Sequence, residues 1–495
     1  MTRRAILAAC LTLAALAAAT AGAQSVAAYQ TTPDLLEALD LLQTLHFAVE
    51  TTPGDAAPLI TVDDAQTFQQ IDGFGASLTD AAAWLLASKL TPVQADAALK
   101  TLFSRRDGIA LSFLRQPVGS SDLAVTFYSF DDLCTQSAKA CTTPPGTADS
   151  SLTHFSLAHD QQYILPLLKK ALEYNPDLRV MLTPWSPPGW MKSSGSMLGQ
   201  DPDTKQPATL RPEARAAFAQ YLVKTIQGYQ SAGVPIYALS VQNEPLYAPP
   251  DYSGMSMPAA EQADFLGNYL GPALAAASLK TKLLVYDHNW DHPEYPEKVL
   301  HDPKAAAVAA GTAWHHYAGD PAVMSGFHGE FPEKDQWVTE ASGGTWQKGF
   351  AGKGNILAEE AAELIAVTRN WAKSYVLWAL ATDPEHGPFV GGCATCRGLV
   401  TIDAANPAHP VKPELDYYVL GQASKFVQPG AVRIASNEPP GTQLRDVAFR
   451  NPNGTVVLYT LNAATTARQI RIGYKGKTVA TTIPAGSVAT YIWKP

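Results

Sequence analysis

The sequence predicts a (β/α)8 barrel with an associated antiparallel β-sandwich, and three observations carry that expectation. First, eight short apolar segments recur, ending near Phe74, Arg115, Trp185, Asn243, Asp287, His315, Glu340 and Trp378, most followed by a helical or loop-rich stretch. Between Gln70 and Trp378 they average roughly 38 residues per unit, the length of a strand–loop–helix–loop repeat in such a barrel. Second, segments such as Val180-Met-Leu-Thr183 and Lys282-Leu-Leu-Val-Tyr286 are apolar almost throughout, as parallel strands buried on both faces are. Third, beyond about Ala431 the pattern changes to short alternating segments, the mark of antiparallel strands.

Residues 1–23 read as a secretory signal peptide. Arg3 and Arg4 precede the apolar run Ala5 to Ala19, and Ala21-Gly-Ala23 forms a small-residue cleavage signature before Gln24. Leu7-Ala-Ala-Cys10 resembles a lipoprotein box, but it would leave only about five apolar residues before the cut, too few for a signal core. Residues 24–69 are expected to add strands to the sandwich, because they are too short to fold alone. The barrel is assigned to residues 70–415 and the C-terminal sandwich to residues 416–495, built mainly from Ala431 onward. Within the barrel, Ala214, Phe218, Tyr221, Leu222 and Ile226 show helical apolar spacing. The stretch from Val118 to His159 is rich in Ser, Asp and Pro and reads as an elaborate active-site loop. In the sandwich, Asp446 to Arg450 and Thr455 to Leu461 flank Asn451-Pro-Asn-Gly454 as a hairpin, followed by strands over Gln469–Ile472 and Val488–Trp493.

Composition narrows the function. Loss of Arg3 and Arg4 with the signal takes the formal charge from −9 to −11. An acidic, well-mixed surface excludes the clustered Lys and Arg of a nucleic-acid binder. No later stretch reaches the roughly 18 continuous apolar residues of a membrane span, so a secreted or periplasmic monomer is expected. Once Cys10 leaves with the signal, Cys134, Cys141, Cys393 and Cys396 remain, an even set suited to an oxidising compartment. Proximity pairs Cys134 with Cys141 and Cys393 with Cys396. A redox role for Cys393-Ala-Thr-Cys396 is the alternative, but the strand-to-helix setting of a thioredoxin site is missing.

The chemistry points to two carboxylates. Glu244 follows the apolar run from Ile236, and Glu340 ends the run from Gln336, so both fall where barrel strands present functional groups. A carboxylate pair so placed is what glycosidic cleavage requires: one protonates the leaving oxygen while the other attacks the anomeric carbon. Around them, Asp80, Arg115, Trp185, Asn243, His315, Tyr317 and Trp378 form a sugar-binding inventory, with aromatic faces for the pyranose ring and polar groups for its hydroxyls. Each tryptophan taken alone is more commonly a core residue; Trp185 stands apart because Pro184, Pro187 and Pro188 place it in a loop. His288-Asn-Trp-Asp-His292 has zinc-helix spacing, but Asn289 stands where a general base is needed and Pro293 breaks the helix. No metal and no cofactor are expected, and no Gly-x-Ser-x-Gly elbow is present.

The motifs Ile71-Asp-Gly-Phe-Gly-Ala-Ser-Leu-Thr-Asp-Ala-Ala-Ala83, Thr183-Pro-Trp-Ser-Pro-Pro-Gly-Trp190, Gln242-Asn-Glu-Pro245, Trp314-His-His-Tyr317 and Thr339-Glu340 resemble glycoside hydrolase family 30. The resemblance runs from about Gln70 to the C-terminus and includes Gly421-Gln-Ala-Ser-Lys-Phe-Val427. It implies a retaining mechanism with Glu244 as acid/base and Glu340 as nucleophile. It also implies that Asp80, Arg115, Trp185, Asn243, Tyr317 and Trp378 surround the −1 sugar. Ala379 departs from the pattern, since relatives commonly carry Asn there. Retention requires carboxyl groups about 5–5.5 Å apart, and the negative charge of Glu340 is expected to raise the Glu244 pKa. The expected substrate is a β-1,6-linked glucan; glucosylceramide or a simple β-glucoside follows, then xylan. A carbohydrate-binding protein with an inactive barrel is the alternative from outside enzymology.

Overall fold

The computed structural model describes residues 24–49, 57–134, 141–144, 146–347 and 355–495; the signal-peptide reading lies outside them. Eight parallel strands close into a barrel: Gly73–Ser77, Phe113–Val118, Arg179–Pro184, Ile236–Ser240, Lys282–Asn289, Ala309–His315, Asp335–Ala341 and Ala372–Leu377. The last pairs with the first, Tyr375 against Phe74. Between strands three and four, the helix Arg215–Ser231 buries Phe218, Tyr221, Leu222 and Ile226 on one face.

The barrel floor is a plug of inward side chains from seven strands, among them Phe113, Met181, Leu284, Trp337 and Val376. Side chains on a strand alternate between faces, so the residues two positions further along also point inward, one layer higher. That rule carries Arg115, His315, Thr339 and Trp378 to the mouth of the barrel. Two irregularities supplement it. In the fifth strand the register slips between Tyr286 and His288, where Tyr286 and Asp287 adopt φ of 71° and 67°. Tyr286 packs on Tyr295 and Trp314, while Asp287 turns inward to Arg115. In the seventh strand, Trp314 pairs with Val338 but His315 pairs with Glu340. The skipped residue lets both Thr339 and Glu340 reach interior partners. Bulges that re-aim a side chain in this way concentrate beside active sites.

The antiparallel-rich sheet domain includes chain from both ends. Ser25–Thr31 pairs with Val488–Trp493. Leu59–Gln70 lies antiparallel to Val432–Ser436 and parallel to Arg468–Tyr474. Its core, which includes Phe47, Ile60, Leu458, Tyr491 and Trp493, is separate from that of the barrel. After the eighth barrel strand the chain forms a small sheet of Ala379–Thr382, Gly398–Ile402 and Val411–Pro413, which the sequence pattern did not disclose. The segment 383–397 is the excursion between its first two strands. Among the described residues no helix is long and apolar enough to cross a membrane.

Candidate active site

A cavity of about 700 Å³ opens at the C-terminal end of the barrel. Its lining includes Trp185, Asn243, Glu244, Tyr317, Glu340 and Trp378 from among the expected residues. Glu244 lies four residues past the end of the fourth strand, with φ of 46°. A left-handed backbone at a non-glycine residue is uncommon and needs support from its surroundings. Here the Glu244 N–H donates to the Asp287 carbonyl (3.0 Å), and the Asn243 N–H donates to the Pro184 carbonyl (2.9 Å). Neighbouring strand ends therefore hold the loop that carries the carboxylate. One oxygen of Glu244 and one of Glu340 lie within 4.8 Å of each other.

Beneath the two carboxylates lies a buried polar layer. The Arg115 side chain is fully buried. Its Nη1 donates to Glu340, and its Nη2 donates to Asn243 Oδ1 (2.7 Å) and Asp287 Oδ2 (2.9 Å). The guanidinium lies 4.7 Å from the centroid of Trp185, which stacks on Trp378 at 4.8 Å. The Tyr317 hydroxyl donates to Glu340 Oε1 (2.8 Å). His315, also fully buried, faces Glu244 Oε1 through Nδ1 and Asp287 Oδ1 through Nε2, each at 3.1 Å. Arg115 and His315 thus sit behind the carboxylates rather than on the cavity wall.

Asp80 is placed elsewhere. It is the first residue of the helix Asp80–Ser88, which turns its side chain away from the cavity. There it accepts from the Val125 N–H (2.8 Å) and the Tyr163 hydroxyl (2.5 Å) and meets His159 Nε2 (2.7 Å). Asp122 does line the cavity, where the Trp378 indole N–H donates to it (3.4 Å). Burial, reinforced by the charge of Glu340, pushes its carboxyl up to about 7. The sequence places Asp122 in the long second loop but does not separate it from Asp131, Asp132 and Asp149. Asp287 had a legible signal, an acid at the end of an apolar strand between the strands of Glu244 and His315. Tyr247, Tyr252 and Trp346 also line the cavity.

Both expected cysteine pairs are disulfides, with Cα atoms 5.3 Å apart for Cys134–Cys141 and 5.6 Å for Cys393–Cys396. Cys393 and Cys396 themselves line the cavity. His288 ends in the fifth strand, whereas His292 is exposed and bonded to Glu294, so the two do not converge on a metal. Glu244, His315 and Glu340 approach one another closely enough to hold an ion. The Arg115 guanidinium, however, already donates to Glu340 and supplies positive charge at this position.

The charge distribution corrects one expectation. Burial alone would raise the Glu244 carboxyl, but the His315 hydrogen bond and the charges of His315 and Arg115 outweigh it and hold the group below its ordinary value. The negative charge of Glu340, expected to act on Glu244, is instead taken up by Arg115. On His315, burial disfavours the imidazolium, yet Glu340, Asp287 and Glu244 together raise it to about 9. Burial leaves the neighbouring His288 near 4 and therefore neutral.

Comparison with known proteins agrees with this architecture. Residues 71–427 match the glycosyl hydrolase family 30 TIM-barrel domain and residues 430–491 the family 30 beta sandwich domain. The chain is 32% identical to the endo-1,6-beta-D-glucanase BGN16.3 of Trichoderma harzianum, over 89% of this chain and 88% of that one. It is 28% identical to the lysosomal acid glucosylceramidase of Mus musculus, over 88% and 83% of the two chains. The solved structure of the endo-beta1,6-glucanase BT3312 superposes with a TM-score of 0.83 at 31% identity, covering 95% of this chain and all of that one. With a closed barrel, a strand-rich second domain and two facing glutamates at the barrel mouth, the chain belongs to glycoside hydrolase family 30.

Proposed function

We propose that the protein is a secreted enzyme that hydrolyses β-1,6-linked glucan by double displacement, with Glu340 as nucleophile and Glu244 as acid/base. One observation carries the double-displacement reading: an oxygen of each carboxylate lies within 4.8 Å of the other. That spacing supports direct attack on the anomeric carbon, because the carboxyl groups of inverting enzymes stand further apart to admit a water. Glu340 suits the nucleophile. Arg115 and Tyr317 both donate to it, which favours the ionised form and fixes its direction. Glu244 has the ionisable neighbour that an acid/base needs, His315. Trp185 and Trp378 offer apolar faces to a sugar ring, and Asp122 and Asn243 offer hydrogen bonds to its hydroxyls.

Likeness to endo-1,6-beta-glucanases over almost the whole chain supports β-1,6-glucan as the substrate. Glucosylceramide is the second reading, favoured by Leu246 and Tyr247. These are 45% and 46% exposed, lie just beyond Glu244 and Pro245, and offer apolar surface to an acyl chain. Secretion is supported by residues 1–23 and by the two disulfides. The test is a panel of pustulan, glucosylceramide, xylan and an aryl β-glucoside, with NMR of the first anomer released. Fastest turnover of pustulan with β-anomer formed first is expected. Preference for glucosylceramide would select the second reading, and an α-anomer would exclude double displacement.

A further inference from the structure

Among the described residues, one buried group has a proton inventory that geometry alone fixes. Asp287 accepts from Arg115 Nη2 and from the Thr339 hydroxyl (2.5 Å), so it is ionised. Its Oδ1 also faces His315 Nε2, which must therefore carry hydrogen. Arg115 Nη2 also approaches Nε2 at 3.4 Å, but its two hydrogens are already directed at Asn243 and Asp287. The opposite ring nitrogen, Nδ1, faces Glu244 Oε1. A lone pair there would oppose an ionised carboxylate, so one further proton belongs between these two atoms. It rests on His315 as an imidazolium or on Glu244 as a carboxylic acid. The other groups near the ring are Glu340, Arg115, His288 and Tyr317.

We propose that His315, oriented by Asp287, is a positioning residue that stores the proton Glu244 delivers to the leaving oxygen. The inference rests on Glu244 and Glu340 acting as read above. In the first step the bond from C1 to the leaving oxygen breaks and a bond from C1 to a Glu340 oxygen forms. The shared proton passes through Glu244 to the departing oxygen, leaving neutral His315 and ionised Glu244. The Nδ1 lone pair now faces the Glu244 carboxylate and strengthens it as a base. In the second step the bond from C1 to Glu340 breaks and a bond from C1 to water oxygen forms. The proton of that water passes to Glu244 and returns to the shared position. Charge balances across both steps, because the pair loses its proton as Glu340 loses its negative charge. The raised His315 and lowered Glu244 fit this division, with the resting proton mainly on the ring.

The test compares wild type with His315→Asn and Asp287→Asn on an alkyl β-glucoside and a nitrophenyl β-glucoside across pH. A trapping experiment with a 2-fluoro glycoside on wild type runs alongside. General acid catalysis contributes about 100- to 10,000-fold, so His315→Asn is expected to lose at least about 100-fold on the alkyl substrate. It should lose far less in glycosylation by the nitrophenyl substrate, whose leaving group needs no proton. The basic limb of kcat/KM should move to lower pH by at least about one unit, since Glu244 then titrates without its partner. Asp287→Asn should shift the limb in the same direction. Equal losses on both substrates with an unmoved basic limb would make His315 merely structural and overturn the proposal. Should the variants fail to fold, nitrogen-15 NMR of wild-type histidines decides: an Nδ1 that neither carries nor shares a proton at neutral pH is the contrary result. Failure to trap a glycosyl group on wild-type Glu340 would instead refute the assignment of roles beneath the proposal.

Discussion

Arg115 binds Glu340 through one guanidinium nitrogen while its other nitrogen holds Asn243 and Asp287, so a single side chain fixes both the proposed nucleophile and its neighbours. A planar fork presents its donors from separate nitrogens in fixed directions, whereas a lysine ammonium presents its three donors from one point. Arg115→Lys should therefore lower kcat by about 100-fold, the scale expected when reacting groups are misplaced by an ångström. It should also destabilise the fold by about 3–5 kcal/mol, because buried carboxylates lose part of their compensation. Steady-state kinetics and denaturant unfolding together check this. Wild-type kcat in a folded variant would show that the fork is dispensable.

Asp122 and Asp80 offer a contrast that the sequence did not foresee. Asp122 lines the cavity, whereas Asp80 is 1% exposed and holds the Val125 backbone, His159 and Tyr163. Asp122→Ala should lower kcat/KM by at least about 100-fold, since a site built to bond a hydroxyl discriminates strongly once the bond is lost. Asp80→Asn should instead reduce stability by about 1–3 kcal/mol through its unsatisfied donors while kcat of the folded fraction stays within a few-fold. Kinetics and melting temperatures of both variants would reveal a reversal of these roles.

The reason for that contrast shows what a sequence discloses. Barrel strands were legible because short apolar runs recur with helical or loop-rich stretches between them, and alternation from the floor residues predicts inward Arg115, His315 and Trp378. Asp80 follows the first strand almost directly, yet the helix beginning at Asp80 itself rotates it out of the site. Asp122 lies within a long loop that no periodicity constrains. Glu244 was expected where its strand runs out but sits beyond Ser240, held by carbonyls of two other strands. The charge state of Glu244 depends on His315, a partner 71 residues away whose approach no local pattern encodes.

The Cys393–Cys396 disulfide should matter more to binding than to stability. It closes a very short loop, which the chain-entropy argument values at roughly 2 kcal/mol. Cys393 also donates its N–H toward Asp122 (3.4 Å), and the Ser342 hydroxyl donates to Cys396 Sγ (3.3 Å). The double variant Cys393→Ser, Cys396→Ser should raise KM several-fold and lower the melting temperature only slightly. An unchanged KM alongside a large loss of stability would reverse this view.

Asp446 supplies a stability switch remote from the site. It is fully buried, and the Arg369 guanidinium stands 3.6 Å from its carboxylate, so burial pushes its carboxyl up to about 7. Its folded-state pKa exceeds the unfolded value, so its contribution is most favourable below pH 4 and is lost as pH rises to about 7. Asp446→Asn should therefore stabilise the protein progressively over that window and level off above it. The ceiling is about 4 kcal/mol, because each pH unit of that window is worth about 1.4 kcal/mol. Denaturant unfolding at pH 4 and pH 8 would contradict this if the gain were the same at both.

The two glutamates should fail differently when neutralised. Glu340→Gln is expected to abolish turnover on every substrate, because no nucleophile remains to form the intermediate. Glu244→Gln should spare more activity on a nitrophenyl glycoside than on glucan, since nitrophenolate departs without protonation whereas a sugar alkoxide does not. Deglycosylation still needs a base, so this variant should accumulate glycosyl-enzyme, visible by mass spectrometry as an adduct on Glu340. Azide should then restore turnover by attacking that intermediate without base assistance and yield a β-glycosyl azide. Removing Glu244 also leaves His315 beside a neutral amide that cannot relay its proton, so the histidine alone should not rescue the variant. Equal losses in both variants on the nitrophenyl substrate, or azide rescue of neither, would show that the roles of Glu244 and Glu340 are wrongly assigned.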